Sequence, residues 1–495
     1  MAVFRGFLAL LCVVASAESQ PLKAQSSQRV ALASCRLPGV DGEARCGSYE
    51  VYEDRRARKG RRIALKIAVL PALGSKPSPD ALFILAGGPG QAATENADFI
   101  ARVFAKVREE RDIVMVDQRG TGGSNGLRCD LYGASLRAYL GDLLPIDAIK
   151  VCRAEWGRRA DLRLYTTPIA MDDLDEARAA LGYERINLFG TSYGTRAAQV
   201  YMRQHPGRVR SVILKGVTPA SDNFPRVIAR DAQRSLDLVF DDCAKNEACR
   251  QAFPNLKREF ADVLARFEKG GVMVEIPDVN KTGAIGHVEL SRGAFATTLR
   301  SLLQGAPTIA QLPMMIHQAY NGDYAPFVNN TLSIRDGASK GLSYGMFLSV
   351  VNTEDLPLTD PKQVERESAG TFMGDYYYRQ IAQAGKLIPS GAAPPNYKEP
   401  VRSKAPVLIV SGYLDPATPP ENGDKIARHL PNSLHVVARY GSHGYSTNFL
   451  PCVDQLMADF IARGGVKGLD ISCIDRIPQI PFQVPSNQAR EKGED

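Results

Sequence analysis

Short apolar runs bounded by Gly, Pro or Asp recur along the chain: "ALFILAGGPG" (81–90), "DIVMVDQRG" (112–120), "INLFG" (186–190), "SVILKGV" (211–217), "APVLIVSGYLDP" (405–416) and "LHVVA" (434–438). Each is nearly uninterrupted, as strands buried on both faces of a parallel sheet must be, whereas a strand with one wet face would alternate. Between the runs lie apolar residues at helical spacing: Leu174, Ala177 and Leu181 before Gly182, then Ala197, Val200 and Tyr201, and finally Val453, Leu456, Met457, Phe460 and Ile461. Strand and helix alternate, so the expected class is α/β, a mostly parallel sheet flanked by helices. Ahead of it, "YEVYEDRRARKGRRIALKIAVLPA" (49–72) reads as an antiparallel hairpin leading into the sheet.

The rhythm is lost between Pro219 and Pro400 and resumes at "APVLIVSG". The expected organisation is therefore a core made of residues 29–218 and 401–484, with residues 219–400 inserted as a mainly helical cap. The charged tail, 485–495, lacks the apolar content to order itself. At the other end, Arg5, an apolar run and Ala15-Ser16-Ala17 have the layout of a cleaved signal peptide, residues 1–17. That run is shorter than the roughly 20 residues a spanning helix needs, so stable membrane insertion is not expected. The expected location is secreted or periplasmic.

An exported chain meets an oxidising compartment, and eight cysteines remain once Cys12 is removed with the leader. Eight cysteines allow on the order of a hundred pairings, but these fall into close couples. Neighbour pairing joins Cys35 to Cys46, Cys129 to Cys152, Cys243 to Cys249 and Cys452 to Cys473. Neither a Cys-x-x-Cys pair nor a histidine adjacent to a cysteine argues for metal, and no cofactor is implied. A net charge of +7, spread over 495 residues, offers no clustered basic stripe for nucleic acid. The basic "EDRRARKGRR" (53–62) reads instead as a solvated hairpin turn.

Chemistry enters at "INLFGTSYGTRAA" (186–198), where Gly190 and Gly194 flank Ser192 between a strand and a helix. A helix start needs only a capping residue; Gly-x-Ser-x-Gly in this context is a nucleophile elbow, a strained turn that lifts the serine hydroxyl above the sheet. Serine reacts at neutral pH only when a base takes its proton, and six histidines are available. His443, in "YGSHGYS", sits in a Gly-flanked loop after the last strand, at the sheet's carboxyl edge. His205, His287, His317, His429 and His435 fall at helix ends, in the insertion or inside a strand. The acid that orients the base is Asp415, in a proline-stiffened loop after a strand, with Glu421 and Asp424 as fallbacks at a helix start. Two backbone donors must hold the oxyanion: the N–H of Tyr193, after the nucleophile, and one from "AGGPG" (86–90), assigned to Gly88.

"LAGGPGQ", "VDQRGTGGS", "GTSYGTR", "GYLDPATP" and "GSHG", in that order, resemble the prolyl and tripeptidyl aminopeptidase family of α/β hydrolases across nearly the whole mature chain. The resemblance implies an α/β-hydrolase fold with a helical cap, and a serine exopeptidase acting on peptide substrates with a free N-terminus. It also implies that Asp117, Gln118, Arg119 and Gly120 form a structural turn near the site, and that an acidic pair, Glu354 and Asp355, binds substrate, Glu354 accepting the ammonium. Ala86 stands where prolyl aminopeptidases carry histidine, which moves the match away from strict removal of a single proline. Asn352 likewise stands where many relatives carry cysteine. The same serine, base and acid would serve a carboxylesterase, and a non-catalytic secreted binding protein could keep the fold alone.

Overall fold

The computed structural model describes residues 29–277, 285–444 and 451–485. The expected leader, 1–17, lies outside the described residues, as does the expected tail beyond Pro485.

The six apolar runs are six strands: β4 (Leu82–Leu85), β5 (Ile113–Val116), β6 (Ile186–Thr191), β7 (Val209–Lys215), β10 (Val407–Gly412) and β11 (Ser433–Ala438). All of their pairings with one another are parallel, in the spatial order β5-β4-β6-β7-β10-β11. Every residue of β4, β5 and β10 is buried, which is why none of them alternates. The hairpin expected at 49–72 is β2 (Ala44–Tyr52) with β3 (Arg62–Leu70), and β3 joins β5 antiparallel. A short edge strand, β1 (Ala33–Cys35), completes a nine-stranded sheet. The fold is that of an α/β hydrolase: a mostly parallel sheet with flanking helices.

Helices form where apolar spacing and stop signals agree. Thr167–Leu181 ends at Gly182, whose φ of 91° is the left-handed conformation that glycine adopts without a steric penalty. Tyr193–Gln204 follows β6 directly, and Pro451–Arg463 packs Val453, Leu456, Met457 and Phe460 against the sheet. Between β7 and β10 the chain forms helices, among them Phe224–Lys245, Arg292–Leu302, Tyr344–Glu354 and Tyr376–Gly385. It also forms a hairpin that the sequence pattern did not anticipate, β8 (Val272–Pro277) with β9 (Ile285–Leu290). This stretch has an apolar core of its own around Leu236, Phe260, Phe295, Phe327 and Phe372.

Four disulfides join the neighbouring cysteines, Cys35 to Cys46, Cys129 to Cys152, Cys243 to Cys249 and Cys452 to Cys473. Such bonds persist in oxidising, non-cytoplasmic compartments. Among the described residues no helix is long and apolar enough to cross a membrane. The basic turn after β2 is partly tethered, since Arg55 donates to Asp173 at 2.8 Å and Glu176 at 2.7 Å. Arg119 is fully buried; it donates to Asp173 and to the carbonyls of Tyr52, Glu53 and Leu164, and so ties the hairpin to the helix Thr167–Leu181.

Candidate active site

At Ser192 the chain turns from strand to helix through φ 54° and ψ −124°, a left-handed conformation that costs a non-glycine residue of order 1–3 kcal/mol. The turn is pinned on both sides. Ser192 N donates to Lys215 O on β7 at 3.0 Å, and Thr195 returns both its N–H (2.9 Å) and its hydroxyl (2.6 Å) to Ser192 O.

The flanking glycines answer to close backbone approach. A Cβ on Gly190 would fall 2.4 Å from Gly194 O, and one on Gly194 would fall 2.0 Å from Leu85 O at the end of β4. Strand β4, strand β6 and the helix after Ser192 meet in a space that admits no side chain at either position.

Asp415 follows β10 and is wholly buried. Its Oδ1 accepts the N–H groups of Ala417 (2.7 Å) and Thr418 (2.8 Å), while Oδ2 accepts the Thr418 hydroxyl (2.6 Å) and faces His443 Nδ1 at 2.9 Å. Burial alone would raise the Asp415 carboxyl; the His443 ring and the Thr418 donors outweigh it and hold it below the usual carboxylate range. Thr418 Oγ1 also lies 2.9 Å from His443 Nδ1, so hydroxyl, carboxylate and imidazole form one cluster. The His443 loop is fastened from the insertion: Gly444 N donates to Gln304 O at 2.6 Å, and Ser442 Oγ donates to Leu303 O at 2.6 Å. The His443 side chain is 16% exposed, open enough to meet a substrate.

Ser192, Tyr193 and His443 line one cavity of about 580 Å³, together with Gly87 and Gly88 from the loop after β4. A Cβ on Gly87 would come 3.4 Å from Ser192 Cβ, so that loop runs directly beside the elbow. The Tyr193 N–H opens a helix, where the first amides have no intrahelical acceptor. The opposite wall comes from the insertion, with Leu342, Phe347, Val351 and Tyr377. A larger depression of about 830 Å³ lies among the insertion's helices, beside Gln233, Lys257 and Glu365, and includes none of Ser192, Asp415 or His443.

The acidic pair divides between the interior and the cavity wall. Glu354 is wholly buried and does not line the cavity. Its Oε1 accepts Thr167 N at 2.6 Å; its Oε2 accepts the Thr167 hydroxyl at 2.9 Å and the Tyr397 hydroxyl. Both carboxylate oxygens thus face internal donors and not the cavity. Burial raises the Glu354 carboxyl, against the lowering effect of Arg196 and of its donors. The Thr167 hydroxyl lies 2.8 Å from the Tyr193 hydroxyl, so the network steadies the residue next to Ser192. Asp355 does line the cavity, but it accepts Arg196 Nη1 at 2.8 and 3.0 Å, Lys398 Nζ at 3.1 Å and Phe224 N at 3.1 Å. Burial would raise its carboxyl, yet Arg196 and Lys398 prevail and lower it.

Thr418 went unnoticed in the sequence, although Asp-x-x-Thr in a turn is the spacing at which the two side chains can meet. Among the described residues no group of three or more His, Cys, Asp or Glu is arranged to hold a metal ion.

An elbow serine, a buried carboxylate–imidazole pair and a cavity at the carboxyl edge of a mostly parallel sheet define a serine hydrolase of the α/β-hydrolase class. Comparison with known proteins agrees: residues 80–282 match the model of the alpha/beta hydrolase fold, and residues 370–473 match that of TAP-like proteins. The chain is 25% identical to a tripeptidyl aminopeptidase of Streptomyces coelicolor over 86% of its own length and 82% of the relative's. It is also 26% identical to the serine protease Hip1 of Mycobacterium tuberculosis, over 88% of each chain. The chain is thus similar over most of its length to serine peptidases of this fold.

Proposed function

We propose that the chain is an exported serine peptidase that cuts peptide bonds near a free N-terminus, with Ser192 as nucleophile, His443 as base and Asp415 as its orienting acid. The observation that carries this reading is the Asp415–His443 contact of 2.9 Å beside a cavity that also exposes the Ser192 elbow. His443 Nδ1–H donates to Asp415, which leaves Nε2 free to take the Ser192 proton as the hydroxyl attacks the scissile carbonyl. The N–H groups of Gly88 and Tyr193 receive the developing oxyanion. His443 then returns the proton to the leaving amine, and water, activated by the same ring, releases the acyl-enzyme.

Residues 29–218 and 401–484 act as the hydrolase core, and residues 219–400 act as a cap that narrows the cavity and selects the peptide. Supporting this division, Ser192 and His443 reach the cavity from the first part and Phe347, Val351 and Tyr377 from the second. Export, to the periplasm or beyond, accords with the four disulfides. Action at the amino end is supported by the relatives named tripeptidyl aminopeptidase. Of the acidic pair, Asp355 borders the cavity and holds Arg196 and Lys398 at its wall, while Glu354 steadies Tyr193 through Thr167.

A panel of chromogenic mono-, di- and tripeptide amides, free and N-acylated, tests the reading, with Ser192→Ala as control. Free peptides are expected to turn over faster than their acylated forms and the control to be inert. Equal turnover of blocked and free peptides, or reaction with acyl esters alone, would overturn it.

A further inference from the structure

Arg300 lies in the helix Arg292–Leu302, in the wall of the cavity that holds Ser192 and His443. It is only 8% exposed, and its Nε is shut off from water. A cation in that position normally finds a carboxylate or a set of carbonyls. Among the described residues Arg300 finds neither: its guanidinium makes no hydrogen bond or ion pair there, and its Nε is buried without an acceptor. Its one described partner is the Tyr377 ring, 5.4 Å from the guanidinium carbon, a contact that fixes the plane of the group and satisfies none of its donors.

The contrast with its neighbours is informative. Arg119 and Arg335 are also buried, yet each donates to several acceptors. Arg196, on the same cavity, is engaged by Asp355. Among the described residues the charged side chains lining the cavity, His443 aside, are Arg196, Lys215, Arg300 and Asp355, and the carboxylate of Asp355 is already held by Arg196 and Lys398. Among the described residues the Arg300 fork thus lacks the planar anion that a guanidinium binds best.

We infer that Arg300 is a specificity-determining residue that binds a carboxylate of the substrate, so that the enzyme prefers peptides bearing an anionic group within reach of Ser192. The inference rests on the peptidase reading for its substrate class, while the carboxylate preference follows from the cavity itself. That carboxylate is either an acidic side chain or the C-terminus of a short peptide, and the two sources are separable.

In one arm, tripeptide anilides with Glu or Gln at each position in turn are assayed for kcat/KM. In the other, free-acid and amide forms of an Ala tripeptide are titrated into Ser192→Ala by calorimetry. In at least one arm the carboxylate form should be favoured by about tenfold or more, the effect of a charge-assisted hydrogen bond. Arg300→Gln should abolish that preference and Arg300→Lys should keep part of it. The Glu/Gln ratio is taken within one preparation, so it does not depend on how much of a variant folds. Equal treatment of both forms in both arms, or a preference that survives Arg300→Gln, would overturn the inference. If the wild type cleaves no peptide, the peptidase reading fails, and calorimetry alone then decides for or against a carboxylate site.

Discussion

Asp415→Asn isolates the contribution of the orienting acid, because the surroundings dictate how the new amide must lie. The Oδ1 position faces two backbone N–H groups, of Ala417 at 2.7 Å and Thr418 at 2.8 Å, which can only donate. The asparagine carbonyl must therefore occupy that position, and its NH2 takes the place of Oδ2, opposite Thr418 Oγ1 and His443 Nδ1. The Thr418 hydroxyl can rotate to accept. His443 must accept as well, which puts its proton on Nε2, the nitrogen that has to receive the serine proton. An equivalent change of tautomer in a serine protease costs about 10⁴ in kcat. At about 1.4 kcal/mol per decade, that is about 5 kcal/mol of lost transition-state stabilisation. Both backbone hydrogen bonds survive, so the variant should fold and melt cooperatively. The assay is kcat on the best peptide anilide, alongside a thermal melt. A folded Asp415→Asn enzyme within tenfold of wild type would refute the assignment of Asp415 as the acid.

The remaining predictions probe the scaffold around the site. Gly194→Ala places a methyl 2.0 Å from Leu85 O, so denaturant unfolding should show a loss of about 1–3 kcal/mol or more; Gly207→Ala, with nothing within 4 Å, should change little. Asp355→Ala strips the buried Arg196 and the half-buried Lys398 of their shared carboxylate, and should cost about 3–5 kcal/mol in the same assay; a loss below about 1 kcal/mol would show that the pair is not structural. Asp231 is pushed up to about 6, chiefly by burial, from 3.8. The folded state therefore keeps its proton up to about pH 6 while the unfolded chain ionises near pH 3.8, and the wild type loses stability across that window. The advantage of Asp231→Asn over wild type should accordingly grow by about 2–3 kcal/mol between pH 4 and pH 7, and a pH-independent difference would contradict the cause given.

The sheet and the elbow were legible because their signals are local and backbone-based. Strands buried on both faces leave uninterrupted runs, and the Gly190–Ser192–Gly194 spacing reflects contacts of the main chain itself. Strand β1 left no such trace, being three residues long with a mostly exposed face, and the β8–β9 hairpin stands apart from the main sheet. Side-chain direction was not legible at all. Glu354 and Asp355 are adjacent in sequence, yet one turns inward to Thr167 and Tyr397 while the other borders the cavity, a difference set by tertiary packing. Arg300 was missed for the same reason: an arginine in a helix's last turn usually reaches solvent, and only the folded chain shows it buried in the wall of the cavity that Ser192 lines. The neighbour pairing of the cysteines was readable because each couple is close along the chain, with the Cα atoms brought to 5.2–5.9 Å.

The most direct test of Ser192 as an activated nucleophile is labelling by a fluorophosphonate probe, read by peptide mass spectrometry. A single adduct is expected, on Ser192, absent in Ser192→Ala and forming orders of magnitude more slowly in His443→Ala. An unlabelled wild type, an adduct on another serine, or labelling indifferent to His443 would contradict it.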